Sequence, residues 1–242
     1  MSLINFSEFD SKIFNCQVGK VFLTDKSDSD EVLQQLKSDS SKIIFAFTPF
    51  TQSHIHIVLE NYGFHLASIR STYLAKVEDL PNFTNSNIKI VSWSQEQPAI
   101  REVVLKKIAK TIGSTSRYYQ DTSLPSEAVH ELYLTWIKNS LYQNYADEVL
   151  LAYSGNRFAG WLSLKIGSDK ASIDLIGVLS EFQHAGIGAS LIAYARKLLY
   201  KKVNFLETIT EGENIRAIRF YSKNGFKLTN LELAYHYHQN NK

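Results

Sequence analysis

The sequence predicts an α/β (α+β) fold with a mixed central sheet, divided into a smaller N-terminal and a larger C-terminal domain. Short stretches rich in β-branched and aromatic residues alternate with stretches of helical spacing along the chain. One polar stretch, Glu78 to Asn87, contains Pro81 and interrupts this alternation, as a linker does. We therefore expect domains at 1–80 and 88–242, joined by a linker at 81–87.

The N-terminal region has the pattern β-α-β-α-β, which is typical of an α/β layer. Its short apolar stretches predict strands, and its stretches with apolar residues three or four apart predict helices. The predicted strands are Val18–Leu23, Ile43–Phe47 and Leu66–Ala75, and the predicted helices are Asp30–Leu36 and His54–Asn61.

The C-terminal region alternates in the same way over a longer stretch. Ser126 is in place to cap one helix, and Ser154-Gly155-Asn156 is in place to close a hairpin. The predicted helices are Gln97–Thr111, Ser126–Leu141, Gly186–Tyr200 and Asn214–Lys223, with a loop at Ser116–Pro125. The predicted strands are Val149–Tyr153, Phe158–Lys165, Ala171–Val178, Asn204–Thr210 and Lys227–Tyr237.

Composition argues against several classes of protein. Lysine and arginine number 26 against 24 acidic residues, without a basic block, so we expect no nucleic-acid partner. The single cysteine, Cys16, allows no internal disulfide and is expected to pack as a small apolar residue. The first residues lack the pattern of a signal peptide, and no apolar stretch is long enough to span a bilayer. We expect a cytoplasmic protein without membrane insertion, and a homodimer stays open.

The strongest local signal is the stretch Val178–Leu191, where a predicted strand turns into a helix. Gln183, Gly186 and Gly188 form the pattern Q-x-x-G-x-G. Small residues there let backbone amides converge at a helix N-terminus, which favours a phosphate or pyrophosphate. The pattern is neither a P-loop nor a dinucleotide fingerprint, because G-K-[ST] is missing and Glu207 lies inside the next strand. A plain turn is the alternative.

A second motif follows at Glu213–Phe226. Asn214 is in place to cap a helix that carries Tyr221, and Gly225-Phe226 ends it. The order Q-x-x-G-x-G and then N-x-x-A-x-x-F-Y-x-x-x-G-F resembles the paired motifs of the GNAT superfamily of acetyltransferases. The resemblance implies a GNAT-type mixed sheet and acetyl-CoA as the cosubstrate.

The resemblance also implies roles for individual residues. Asn214 would contact the pantetheine arm, and Tyr221 would protonate the departing thiolate, with a core tyrosine as the alternative. Asp174 is on the same face of its strand as Val178 and is the candidate general base, unless the amine needs none. The strand would bind the pantetheine arm through Ile176 and Val178, and the pyrophosphate would be bound by Gln183, His184, Ala185, Gly186, Ile187, Gly188 and Ala189.

The whole chain resembles a narrower branch, the two-domain TDP-fucosamine N-acetyltransferases. Its opening FSEFDSKIFNCQVGKV and the segment Ser114–Leu141 carry this resemblance. Ile57–Phe64 and Arg219–Phe226 also share a helix-to-strand pattern, with Leu59 where the second copy has Tyr221. The N-terminal domain would then be a degenerate GNAT-like unit without a CoA site.

The narrower resemblance implies a bulky acceptor, a nucleotide-linked amino-deoxy sugar of the dTDP-4-amino-4,6-dideoxyhexose type used for surface polysaccharide. An arginine fork could bind its diphosphate, and aromatic rings could pack on the sugar or base. Those residues would be Arg117, Tyr118, Tyr119 and Trp136, with a surface arginine and core aromatics as the alternative. A protein or antibiotic amine, or a non-catalytic acyl-CoA sensor, stays open.

The histidines do not predict a metal site. The two histidines of His54-x-His56 would point to the same side only in a strand, and the same holds for His236-x-His238. The stretch that contains His54 and His56 has helical spacing instead. We therefore expect no metal.

Overall fold

The computed structural model describes residues 3–82, 85–96 and 98–239. Its strands are β1 (Ile4–Phe6), β2 (Val18–Phe22), β3 (Ile43–Pro49), β4 (His65–Lys76), β5 (Ile88–Ser92), β6 (Glu148–Ser154), β7 (Arg157–Ile166), β8 (Lys170–Val178), β9 (Phe205–Glu211) and β10 (Lys227–His238). Its α-helices are α1 (Glu8–Phe14), α2 (Ser29–Ser38), α3 (Ser53–Tyr62), α4 (Trp93–Glu96), α5 (Glu102–Gly113), α6 (Arg117–Gln120), α7 (Ser126–Tyr142), α8 (Ile187–Leu199) and α9 (Ile215–Lys223).

All ten strands of the described ranges form one mixed sheet, in the order β1-β2-β3-β10-β4-β9-β8-β7-β6-β5. The pairs β2–β3 and β8–β9 are parallel, and the other neighbours are antiparallel. The predicted α/β class with a mixed sheet is confirmed.

The last strand of each half of the chain pairs with strands of the other half. β10, from the end of the chain, lies between β3 and β4 of the first half. β4 in turn pairs with β9 of the second half, from Arg70–Glu211 to Lys76–Phe205. The sheet is therefore continuous across the predicted boundary, and the division into 1–80, 81–87 and 88–242 stays a prediction. Residues 83 and 84 of that linker lie outside the described residues.

Helices cover both faces of the sheet, because neighbouring residues of each strand point to opposite faces. In β3, Phe45 and Phe47 point to the face covered by α1, α5 and α7, whereas Ile44 and Ala46 point to α2 and α3. On that second face α8 covers the C-terminal strands and buries Leu191. None of the described helices is both long enough and apolar enough to cross a membrane.

The predicted elements are present, with three local corrections. The helix expected from Gln97, a residue outside the described ranges, begins only at Glu102, because Arg101 at its cap position has extended backbone. The loop expected at 116–125 contains the short helix α6. Ser126 does not cap α7: it is the first helical residue, and Pro125 occupies the cap position without a side-chain bond.

Candidate active site

A cleft opens where two parallel strands separate. β8 and β9 pair only as far as Ile173 and Thr208. Beyond this point β8 stays paired with β7 up to Val178, and β9 stays paired with β4 up to Glu211. The two strands therefore diverge and enclose a cleft of about 380 Å³, a size usual for a small-molecule site.

The walls of the cleft come from both halves of the chain. β8 and β9 form its floor, α9 closes one side, and α5, α6 and α7 close the other. The cleft residues are Arg70, Ile112, Thr115, Ser116, Arg117, Tyr118, Tyr133, Trp136, Ser172, Ile173, Asp174, Leu175, Ile176, Glu207, Thr208, Ile209, Thr210, Glu211, Asn214, Ala217 and Tyr221.

Tyr221 reaches this cleft from α9 although only 3% of the residue is exposed. The side chain of Thr208 lies beside its phenol and partly opposes the rise in its pKa. Burial raises the pKa of Tyr221 to about 12, so the phenol keeps its proton at neutral pH. A buried, protonated phenol beside an open cleft is suited to donate a proton.

Asp174 lines the cleft from β8. Its Oδ2 accepts a 2.8 Å hydrogen bond from the indole Nε1 of Trp136. Burial raises the pKa of Asp174, and the Trp136 bond and the nearby Lys165 oppose this shift only in part. A carboxylate with a raised pKa is a better proton acceptor than an exposed one.

Asn214 forms the corner between the cleft and α9. Its side-chain oxygen accepts from the amide of Ala217 at 3.1 Å, so it caps α9 as predicted. Its Nδ2 donates to Thr115 Oγ1 at 2.9 Å. The side chain therefore joins α9 to the loop after α5, and it lines the cleft.

The glycine loop turns the chain from β8 into α8. Gly186 has φ of +80° at the N-terminus of the helix, and no side chain in the described part of the chain caps it there. The first amides of α8 are therefore without helix acceptors. Gln183 supports the loop: its Nε2 donates to Val178 O at 3.1 Å, and its Oε1 accepts from Arg216 at 2.9 Å.

The members of the predicted pyrophosphate loop differ in exposure. His184, Ala185 and Gly186 are exposed, and His184 itself has positive φ of +65°. The side chain of Ile187 is buried under the sheet, so only its amide is available at the helix terminus. The last two members, Gly188 and Ala189, are half-buried.

Gly188 is needed for packing. A Cβ at this position would lie 2.9 Å from the ring of Phe220 in α9. The glycine therefore lets the start of α8 approach the helix that carries Tyr221.

Arg117 is not a free fork for a diphosphate, contrary to the sequence expectation. Its Nη1 donates to Glu211 Oε1 at 2.9 Å, and its Nη2 donates to the hydroxyl of Tyr118 at 2.8 Å. The guanidinium also lies 5.2 Å from the ring centre of Phe47. Nη1 and Nη2 thus already donate hydrogen bonds inside the protein.

The four predicted acceptor residues do not all reach the cleft. Tyr118 and Trp136 line it, as does Arg117. Tyr119 does not: its ring packs against His130 and Tyr133, and its buried hydroxyl has no partner in the described part of the chain. This is a correction, and its reason is that adjacent residues of the short helix α6 point in different directions.

The sequence reasoning missed several cleft residues. Tyr133 lies one helical turn before Trp136, and the two rings stack 6.0 Å apart. This spacing was a signal that could have identified Tyr133. Arg70 comes from β4 and forms a 3.0 Å ion pair with Glu232 of β10, and only the strand exchange brings it to the cleft.

The Arg117–Glu211 pair should contribute strongly to stability. Both side chains are 13% exposed. Glu211→Gln is expected to destabilise the fold by about 3 kcal/mol or more, because it leaves a buried guanidinium without its countercharge. Urea denaturation measures the change. Glu96→Gln, which breaks the exposed Lys89–Glu96 pair, is the control and should cost less than about 1 kcal/mol. Equal losses in both variants would contradict the prediction.

Comparison with known proteins agrees with this geometry. Residues 110–226 match the sequence profile of the Acetyltransferase (GNAT) family. The spore coat polysaccharide biosynthesis protein SpsD of Bacillus subtilis (strain 168) is 27% identical over 168 residues. The match covers 68% of this chain and 56% of SpsD, so it spans little more than half of that relative.

Solved structures share the fold over most of the chain. A conserved protein of unknown function from Staphylococcus epidermidis ATCC 12228 matches with a TM-score of 0.68 and 16% identity, over 99% of this chain and 92% of that one. A GCN5-related N-acetyltransferase from Kribbella flavida matches at 0.60 and 15%, over 91% and 80%. A tandem GNAT protein from the clavulanic acid biosynthesis pathway matches at 0.58 and 12%, over 93% and 76%. Residues 110–226 are thus similar to the Acetyltransferase (GNAT) family, and the chain shares its fold with these solved structures.

Proposed function

We propose that this chain transfers the acetyl group of acetyl-CoA to the amino group of a nucleotide-linked amino sugar, directly and in a ternary complex. The observation that carries the proposal is the cleft between β8 and β9, in which Asp174 and Tyr221 lie on separate elements. A raised-pKa carboxylate and a protonated phenol are the two proton carriers that aminolysis of a thioester can use.

Acetyl-CoA would enter from the glycine loop. Its pyrophosphate would bind the open amides at the start of α8, with the loop residues 183–189 around it, where the helix dipole favours negative charge. The pantetheine arm would continue along the part of β8 that no longer pairs with β9, past Val178 and Ile176 towards Asn214. This order brings the thioester to the middle of the cleft.

The reaction then needs two proton transfers. The amine nitrogen forms a bond to the thioester carbonyl carbon and passes a proton to Asp174, directly or through water. The C–S bond breaks as the tetrahedral intermediate collapses, and Tyr221 donates its phenolic proton to the leaving sulfur. Backbone amides at the end of β8 would stabilise the oxyanion.

The acceptor end of the cleft supports an amino sugar. Tyr118, Tyr133 and Trp136 supply ring surface on which a sugar or a base can pack. Glu211 carries a negative charge nearby, although Arg117 neutralises it. The relative SpsD bears the name of a polysaccharide biosynthesis protein, which supports a sugar acceptor over a protein or antibiotic amine. We assign the reaction to the cytoplasm, where acetyl-CoA and nucleotide sugars are available.

A base role for Asp174 predicts a marked effect of Asp174→Asn. We expect kcat to fall by about 10²-fold or more. The base works only when ionised, so wild-type activity should fall as pH drops through the raised pKa of Asp174, and the variant should lose this acidic limb. Initial rates across pH, with saturating substrates, measure both. Asp30→Asn, an exposed carboxylate in α2, should leave the profile unchanged. A variant with wild-type kcat would show that the amine needs no base.

The acceptor is tested by thiol release from acetyl-CoA against a panel of nucleotide-linked amino sugars, with lysine peptides and aminoglycosides in parallel. We expect turnover with at least one amino sugar and little with the other two classes. Turnover with peptides or aminoglycosides alone would replace the sugar acceptor by that class. Acetyl-CoA binding without turnover on any amine would indicate an acyl-CoA sensor.

A further inference from the structure

Four side chains outside the cleft converge on one point. His236 and His238 follow each other on the same face of β10, and His65 lies opposite His236 on β4. Asp121, which ends α6, approaches them from the helices above the sheet. One ligand atom from each of the four lies within 4.8 Å of every other.

The two carboxylate oxygens of Asp121 have different partners, and only one of them faces the histidines. Oδ1 of Asp121 accepts from the amide of Ser123 at 2.9 Å. Oδ2 lies 2.6 Å from His236 Nδ1, 2.8 Å from His238 Nε2 and 3.6 Å from His65 Nε2. Three imidazole nitrogens thus lie around a single oxygen, two of them at hydrogen-bond distance and the third at 3.6 Å.

We propose that His65, Asp121, His236 and His238 bind a divalent zinc-type ion. Three imidazole nitrogens and one carboxylate oxygen are a donor set that suits Zn²⁺. In a tetrahedral site with bonds of about 2.0–2.1 Å, ligand atoms are about 3.3 Å apart. The Oδ2 separations lie on both sides of this value, and no two of the four ligand atoms are more than 4.8 Å apart, so side-chain movement alone can bring them to an ion. The proposal replaces the sequence expectation of no metal.

Burial and charge support a built site. The side chain of Asp121 is 2% exposed and that of His236 is 0% exposed. Arg117, a positive charge that influences His236, is already paired with Glu211. Four protein ligands complete a tetrahedral shell, which is the arrangement of structural zinc sites.

The position of the proposed zinc site indicates a structural role for the ion. Asp121 directly follows the α6 segment that places Arg117 and Tyr118 at the cleft, and the ring of Tyr118 lies 5.9 Å from that of His236. The ion would tie this segment to β4 and β10, which come from the first and second halves of the chain. It would therefore fix one wall of the cleft without taking part in chemistry.

The test is zinc binding by the full chain after treatment with a chelator. Titration calorimetry and elemental analysis should give one Zn²⁺ per chain, and Co²⁺ in its place should give the visible absorption of a tetrahedral N/O site. Zinc at about one hundred times Kd should raise Tm by about 5–10 °C. This readout is independent of the acetyl acceptor.

Variants locate the ion. His238→Gln and His65→Gln change partly exposed ligands and should weaken zinc binding by about tenfold or more, judged against second-shell losses of 10–100-fold. His54→Gln, an exposed histidine of α3 outside the cluster, should bind like the wild type. Absence of stoichiometric zinc, a site with no tetrahedral Co²⁺ spectrum, or wild-type affinity in both cluster variants would overturn the proposal.

Discussion

Tyr221→Phe is expected to lower kcat by about 10²-fold or more while the Kd for acetyl-CoA stays within a few-fold of the wild type. The substitution removes the phenolic proton beside Thr208, and it keeps the ring. The ring packs beside Tyr73 and Phe226, so α9 should hold its place. Loss limited to kcat is the signature of an interaction that matters only as the thiolate leaves.

Tyr73→Phe is the matched control. Tyr73 is a buried tyrosine whose ring lies 6.0 Å from that of Tyr221, and it is not among the cleft residues. Saturating kinetics, calorimetry with acetyl-CoA and thermal unfolding should be measured on both variants. An unchanged kcat in Tyr221→Phe, or an equal loss in Tyr73→Phe, would remove Tyr221 from the mechanism.

The pH profile distinguishes the two proton carriers. An acid works only while protonated, and the pKa of Tyr221 is raised to about 12, so its phenol stays protonated through neutral and moderately basic pH. Activity should therefore show no fall on the basic side that depends on Tyr221 over this range. The acidic limb belongs to Asp174.

Local features of the site could be predicted because short-range backbone chemistry dictates them. Gly63 and Gly225 both have positive φ after a helix, and Phe64 and Phe226 are buried just beyond them. Gly186 begins α8 as the glycine pattern indicated. In each case the residue type required is fixed by the turn itself, without reference to the rest of the fold.

Long-range pairing could not be predicted in this way. Hydrophobic periodicity identifies β4 and β10 as strands, but it does not say which strands they pair with. Their exchange between the halves brings Arg70 to the cleft and places His65 beside His236. The histidine cluster therefore depends on a strand register that is invisible in the spacing of His236 and His238 alone.

The direction of each side chain in α6 could not be predicted from the sequence either. The sequence predicted that 117–119 lie near the acceptor, and the structure brings Arg117 and Tyr118 to the cleft but not Tyr119. Which of three successive residues points inwards depends on the four-residue helix, and this was not expected from a loop pattern. The ion pair with Glu211 likewise depends on where β9 ends.

Gly188→Val should weaken acetyl-CoA binding by about tenfold or more. Even a Cβ at this position would lie 2.9 Å from the Phe220 ring, and the two methyl groups of valine extend further. The Phe220 ring, the start of α8 or α9 must move, and movement of either helix disturbs the open amides at Gly186 or the cap at Asn214. Calorimetry with acetyl-CoA measures the loss, and circular dichroism verifies that the variant is folded.

A second substitution tests whether the clash with Phe220, rather than a general loss of structure, weakens acetyl-CoA binding. Phe220→Ala alone should bind acetyl-CoA within a few-fold of the wild type, because Phe220 is not a cleft residue. In the double variant the missing ring makes room for valine, so binding should return most of the way. A double variant that binds no better than Gly188→Val would mean that the side chain blocks the pyrophosphate directly. Contact between α8 and α9 would then not be what keeps the helix terminus open for coenzyme A.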